Sequence, residues 1–208
     1  MFASMGIRIA IALVSAYFLG SLPFAAWVAR LHGVDITKVG SGNPGMTNVW
    51  RTLGWKPALP VALLDAGKGY VAAWLALHLT ASLPWALIAG LIAVLGHSFT
   101  CFASFKGGKG VLTGFGVFLY FAPAGALAGL AAWTAVVLKT RYVSLGSLTA
   151  AIIMPAGIFL EARYQGNGRL YPVLAVATLV GLFIFYRHRA NIARLLQGTE
   201  SKIGSKAA

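Results

Sequence analysis

Apolar residues dominate seven stretches of the 208-residue chain, at about 7–29, 57–79, 83–103, 111–121, 123–138, 145–160 and 170–186. A helix needs about 20 such residues to cross the hydrocarbon core of a bilayer, and most of these stretches approach or exceed that length. The fourth would rise only about 16 Å at about 1.5 Å per residue, so it and the fifth are either two short spans or one re-entrant hairpin. Both arrangements return the chain to the same face. The pattern predicts an all-α, polytopic integral membrane protein with about seven transmembrane helices, one of them short, forming a single domain over residues 1–208.

Lysine and arginine set the expected orientation. With the N-terminus outside, the inner segments hold thirteen of the seventeen, Lys206 among them, while only Arg8, Arg163 and Arg169 fall outside and Lys68 lies within a span. The positive-inside bias therefore predicts the N-terminus out and the C-terminus in the cytoplasm. The first run continues to Ala29 with no small-residue cleavage site before the polar loop, which reads as a retained span rather than a signal peptide.

Composition sharpens this picture. Hydrophobic residues make up 59% of the chain and charged residues 10%, whereas about a quarter of an ordinary soluble domain is charged. The net charge of +13 is carried by residues that flank apolar runs, which favours membrane lipids and anionic substrates over nucleic acid as partners. Cys101 has no second cysteine to pair with. Asp35, Asp65, Glu161 and Glu200 are the only carboxylates and are widely dispersed, so no metal site and no cofactor are expected.

Four polar segments, 40–51, 105–110, 141–147 and 188–202, fall on the inner face in this topology. The first holds Gly40, Ser41, Gly42, Asn43, Gly45, Thr47, Asn48 and Arg51. Its glycines permit conformations closed to other residues, its neutral side chains offer hydrogen bonds, and Arg51 can grip a phosphate in bidentate fashion. A turn leading into a helix capped by Thr47 or Asn48 is the competing account of those two residues. The second segment reads Phe-Lys-Gly-Gly-Lys-Gly. Lys106 and Lys109 offset anionic charge there, while Gly107, Gly108 and Gly110 let the main chain approach an anion, ahead of a helix opening at Val111. A plain Gly-rich turn is the alternative. Asp65 and Lys68, three apart, should pair on one helix face, and Lys68 is also a secondary site candidate. His97 is either a general base or a packing residue. In the last segment His188, Asn191 and Arg194 share one face of an amphipathic helix, lying on the leaflet or contributing His188 and Asn191 to a site.

Taken in series, Gly-Ser-Gly-Asn-Pro-Gly-x-Thr-Asn with Arg51, Gly-His-x-Phe with Phe-Lys-Gly-Gly-Lys-Gly-Val, Tyr-Val-Ser-Leu-x-Ser, and His-Arg-x-Asn-Ile-x-Arg-Leu-x-x-Gly-Thr-Glu-x-Lys closely resemble the bacterial membrane acylphosphate-dependent glycerol-3-phosphate acyltransferases, the PlsY family. The resemblance spans nearly the whole chain. Met46 departs from it, standing where a small residue is expected. The resemblance implies transfer of a fatty acyl group from acyl phosphate to glycerol 3-phosphate, giving lysophosphatidic acid and phosphate, at the cytoplasmic face of the bacterial inner membrane. It implies catalytic roles for Ser41, Arg51, Lys109, His188 and Asn191, and substrate contacts at the other residues of the two Gly-rich segments and at Ser144 and Ser147. It also implies an upstream phosphate acyltransferase supplying the donor.

The chemistry agrees with that implication. No His-x4-Asp pair exists, since Thr37, Leu83, Phe102 and Ala193 stand five residues beyond the four histidines. Direct attack of a hydroxyl on an activated acyl carbon is the expected route, with phosphate as leaving group. An anionic lipid transporter or flippase is the alternative, but it calls for internal repeats and midplane polar sites. A CDP-alcohol phosphotransferase calls for an aspartate cluster, which two aspartates cannot supply.

Overall fold

The computed structural model describes residues 4–204, and Lys206 lies outside them. The described residues form ten α-helices and one 3-10 turn: α1 (Met5–Ser21), α2 (Phe24–Leu31), α3 (Met46–Leu53), α4 (Trp55–Thr80), α5 (Leu83–Ser98), the turn Cys101–Ala103, α6 (Val111–Phe121), α7 (Pro123–Thr140), α8 (Val143–Gln165), α9 (Leu170–Arg187) and α10 (Arg189–Leu196). Each apolar stretch of the sequence is helical. Among the described residues, five segments are long and apolar enough to cross a membrane: Met5–Leu31, Leu83–Ala103, α7, α8 and α9. Helix α4 has the length but carries Asp65 and Lys68, and α6 is the short apolar helix.

The first stretch is not one rod. Pro23 lacks a donor and disfavours the helical region for the residue before it, so Leu22 leaves the helix at ψ 116° and α2 starts afresh. Carbonyls freed by such a break must be satisfied from within the protein, because lipid offers no donor and an unmet group costs several kcal/mol. Thr100 Oγ1 donates to Ser21 O at 2.5 Å, and Lys68 Nζ donates to Leu22 O at 2.9 Å.

Backbone packing divides the chain into two compact units, the first ending at Phe121 and the second beginning at Ala122. In the first, α1, α4 and α5 meet through an alanine-lined core of Ala12, Ala16, Ala72, Ala76, Ala86, Ala89 and Ala93. Small side chains let membrane helices approach closely. Helices α4 and α6 do so reciprocally: a Cβ on Gly69 would overlap the Thr113 carbonyl, and one on Gly116 would overlap the Ala66 carbonyl. A second cluster of Ala25, Ala29, Ile36, Val49, Ala58 and Val61 anchors the 36–45 loop between α2, α3 and α4. In the second unit α8 packs on both α7 and α9. Glu161 Oε2 accepts from the Gly125 N–H at 3.0 Å, which places a carboxylate at the positive end of α7.

Candidate active site

The 40–51 segment of the first unit is shaped from inside by one residue. Asn48 is 1% exposed. Its Oδ1 accepts from Ser41 N at 3.1 Å, and its Nδ2 donates to Ile36 O and Val39 O, both at 3.0 Å. This corrects two expectations: Asn48 braces the loop's own backbone instead of presenting its amide to a substrate, and neither it nor Thr47 caps α3, whose N-cap is Gly45 with no side-chain bond. Gly40 adopts φ +59° against the Asn48 side chain, a left-handed conformation with no room for a Cβ. The brace leaves Ser41 exposed, with Asn43 and Thr47 half-buried beside it. Arg51, one turn on from Asn48, is half-buried on α3.

The Lys-Gly-Gly-Lys loop folds back along the end of α5. Ser104 and Phe105 reverse the chain at φ 50° and 59°. Gly107 N then donates to Ser98 O, and Gly108 N to His97 O, each at 3.1 Å. These two N–H groups, expected to face an anion, therefore cap α5. The need for glycine is steric: a Cβ at position 107 would overlap the His97 carbonyl, and one at 108 would overlap the His97 imidazole. Lys106 is exposed and Lys109 half-buried, on either side of the pinned glycines. Gly110, at φ +82°, delivers the chain to α6, which opens at Val111 as the spacing predicts. Its amino end supplies the positive dipole there.

Behind this loop lies a buried polar cluster. Lys68 Nζ sits 2.7 Å from Asp65 Oδ1, the pairing that the three-residue spacing predicts. His97 Nδ1 approaches the same oxygen at 3.6 Å, and the Phe24 ring lies 5.4 Å from Lys68 Nζ, within cation–π range. A cavity of about 130 Å³ runs past this cluster, lined among others by Thr37, Pro44, Lys106, Gly107 and Gly108. Pro44 of the first motif and Lys106, Gly107 and Gly108 of the second thus border one cleft, which Ser41, Arg51 and Lys109 do not line. Asp35, at its exposed rim, accepts from the Thr37 hydroxyl at 2.7 Å and the Thr37 N–H at 3.1 Å, and these bonds hold its carboxyl below the usual carboxylate range.

In the second unit the third and fourth motifs meet at Glu200. Its Oε1 accepts from Ser144 Oγ at 2.8 Å and Asn191 Nδ2 at 2.7 Å, and its Oε2 from Arg194 Nε at 2.7 Å. Burial pushes the Glu200 carboxyl up, but the bonds from Asn191, Arg194 and Ser144 and the charge of Arg194 outweigh it and hold the group below its ordinary value. Sequence reasoning assigned Glu200 no place in the site; its signals were its position in the fourth motif and its being the only carboxylate in the basic C-terminal segment. Ser147 Oγ donates to Val143 O on its own helix at 2.9 Å. His188, 3% exposed, joins α9 to α10. Its Nδ1 lies 2.8 Å from the Ile184 carbonyl. Nδ1 must carry the proton in that bond, so in the neutral ring Nε2 is the basic nitrogen. Among the described residues, no three of the His, Cys, Asp and Glu side chains gather as metal ligands.

A model of the family described as "Glycerol-3-phosphate acyltransferase" matches residues 10–198. The chain belongs to the glycerol-3-phosphate acyltransferase family. Its relatives of that name include a Bordetella pertussis protein, 48% identical over 199 residues that cover 93% of this chain and 91% of the other. A Thermus thermophilus protein is 46% identical over 203 residues, covering 94% and 95%. The crystal structure of PlsY, an integral membrane glycerol 3-phosphate acyltransferase, in its glycerol 3-phosphate form superposes with a TM-score of 0.86 at 41% identity, covering 94% of this chain and 96% of that one. Its lysophosphatidic acid form gives 0.84 at the same identity. The family likeness and the apolar helices make this chain a multi-pass membrane acyltransferase.

Proposed function

We propose that the protein transfers a fatty acyl group from acyl phosphate to glycerol 3-phosphate at the cytoplasmic face of a bacterial inner membrane. The observation that carries this reading is the pinned loop, which holds Lys106 and Lys109 at the amino end of α6, in a family whose relatives are named for a phosphate-bearing acceptor. The acceptor hydroxyl attacks the acyl carbon, the bond from that carbon to the phosphate oxygen breaks, and inorganic phosphate leaves. The departing phosphate takes the hydroxyl proton, so the step needs no protein nucleophile.

Ser41, Arg51, Lys106 and Lys109 stabilise phosphate charge in this reading. Loop shape comes from Gly40, Gly42 and Gly45, while Asn43 and Thr47 add neutral hydrogen bonds. In the second unit, His188 offers Nε2 for a hydrogen bond to substrate, while the Asn191 amide N–H is given to Glu200. Acyl phosphate keeps its chain in lipid and its phosphate at the surface, which suits a reaction run at cationic loops bordering membrane helices. The donor would come from an enzyme that acylates phosphate. The test is purified protein in lipid with radiolabelled glycerol 3-phosphate and, in parallel, acyl phosphate, acyl-CoA and acyl carrier protein as donors. Product with acyl phosphate alone is the expected result. Strong turnover with acyl-CoA and none with acyl phosphate overturns the donor assignment.

A further inference from the structure

We infer that Asp65 and His97 form a positioning pair: the carboxylate inside α4 fixes the imidazole that backs the Lys-Gly-Gly-Lys loop, and so sets where Lys106 and Lys109 stand. The inference rests on the reading of that loop as substrate-binding.

A buried carboxylate in a membrane helix is costly, and its retention calls for a reason beyond packing. Half of the reason is local. The break at Pro23 leaves the Leu22 carbonyl in need of a donor, Lys68 supplies it, and Asp65 balances the ammonium. That account is complete without His97, yet Oδ1 of Asp65 also faces His97 Nδ1. The other edge of the ring leads to the loop, since the atom that a Cβ on Gly108 would strike first is His97 Nε2. His97 therefore holds Gly108 in two ways, by its carbonyl, which accepts the Gly108 N–H, and by its ring, which fills the space beside Cα. The carboxylate touches one side of the imidazole and the loop touches the other. All three side chains are buried, Asp65 at 2%, Lys68 at 5% and His97 at 9% exposure, and they border the cavity that also reaches Gly107 and Gly108. A ring released from Asp65 has space to turn there, and turning it changes the wall against which Gly108 is packed. Misplacement of a substrate-holding group by about 1 Å can cost on the order of a hundredfold in rate.

Charge balance and positioning are separated by the double substitution Asp65→Ala with Lys68→Gln, which removes both charges and the carboxylate's contact with His97 while keeping a side-chain N–H for the Leu22 carbonyl. If Asp65 only neutralises Lys68, the double variant folds and works as wild type. The positioning reading expects folded protein whose KM for glycerol 3-phosphate is raised about tenfold with kcat within about threefold, a split that general loss of stability does not produce. Adding His97→Gln to that background should change KM no further, because the two residues act through one contact. A wild-type KM in the folded double variant, or a full additional loss on adding His97→Gln, overturns the inference. If the double variant does not fold, His97→Gln alone decides, since it leaves the Asp65–Lys68 pair in place: the same rise in KM supports the pair and a wild-type KM sinks it. Lys109→Ala and Gly108→Ala are measured alongside. Unchanged kinetics in both would instead remove the reading of the loop on which the inference stands.

Discussion

Each unit holds one buried carboxylate with a cationic partner and a second polar group, built in opposite ways. Asp65 and Lys68 are one turn apart on α4, and both of Asp65's contacts, Lys68 and His97, converge on a single oxygen. Glu200 lies beyond the last helix and uses both oxygens to gather Ser144, Asn191 and Arg194, the first of them 56 residues away. The first carboxylate is held by its helix and acts on a loop. The second is itself the clasp that closes the C-terminal segment onto α8 and α10. A substitution at Asp65 made together with removal of the Lys68 charge should thus be felt in function at a fixed fold, and one at Glu200 in the fold first.

The largest effect expected from this contrast is at Glu200. Glu200→Ala leaves the buried Ser144 hydroxyl and Asn191 amide without their acceptor, and orphaned buried polar groups are more costly than absent ones. Poor yield of folded protein and a marked drop in Tm in detergent are expected. Glu200→Gln keeps Oε1 for Ser144 and Asn191 but sets a donor against Arg194 Nε, so its loss should be smaller. Equal Tm values for Ala and wild type would show that the clasp is idle.

Next in size are the loop glycines. At Gly107 a Cβ meets the backbone of α5, whereas at Gly108 it meets the His97 imidazole, which a single carboxylate contact holds less firmly than a helix holds its own backbone. Gly107→Ala should raise the KM for glycerol 3-phosphate more than Gly108→Ala, and steady-state kinetics of the two variants test the order. The reverse order would mean that the His97 ring is the stiffer wall.

A smaller effect is expected in acid. Because the folded Glu200 carboxyl lies below its ordinary value, and a free glutamate titrates at about 4.3, its contribution is fully present above that pH and is lost as pH falls through the folded value. Wild-type Tm should fall more steeply than that of Glu200→Gln below about pH 4.3, and parallel curves would contradict the assignment. The smallest effect expected is none: activity should survive exhaustive chelation. Every carboxylate already has a partner, Asp35 in Thr37, Asp65 in Lys68, Glu161 in the Gly125 N–H and Glu200 in Arg194, so a hard cation would find no free oxygen cluster. Loss of turnover on chelation, restored by a divalent ion, would contradict this.

How much was legible in the sequence divides along the same line. Apolar runs of sufficient length must be helical in lipid, so the helices could be read directly, as could the Asp65–Lys68 pair from its spacing. The break at Leu22 was not anticipated, because the run is equally apolar on both sides of Pro23. Asn48 was assigned to substrate since the carbonyls it binds, at Ile36 and Val39, are set by the loop's path and not by spacing. Glu200 was passed over for a similar reason: Asn191 and Arg194 lie near it in the chain, but Ser144, the partner that ties them to α8, is 56 residues away. Gly107 and Gly108 were read as N–H donors aimed at an anion because the return of the loop onto α5 cannot be seen in one dimension.

The split first span also bears on how the protein is made. The Leu22 carbonyl finds its donor in a side chain 46 residues downstream, and the Ser21 carbonyl in one 79 residues downstream. When the first hydrophobic segment leaves the ribosome, neither donor has been synthesised, and a lipid environment supplies no substitute. The segment must therefore wait in a provisional state, as one straighter helix or with its break held near the aqueous boundary, until α4 and then the end of α5 have been inserted beside it. Biogenesis of the amino-terminal span is in this sense finished from behind, by helices translated after it.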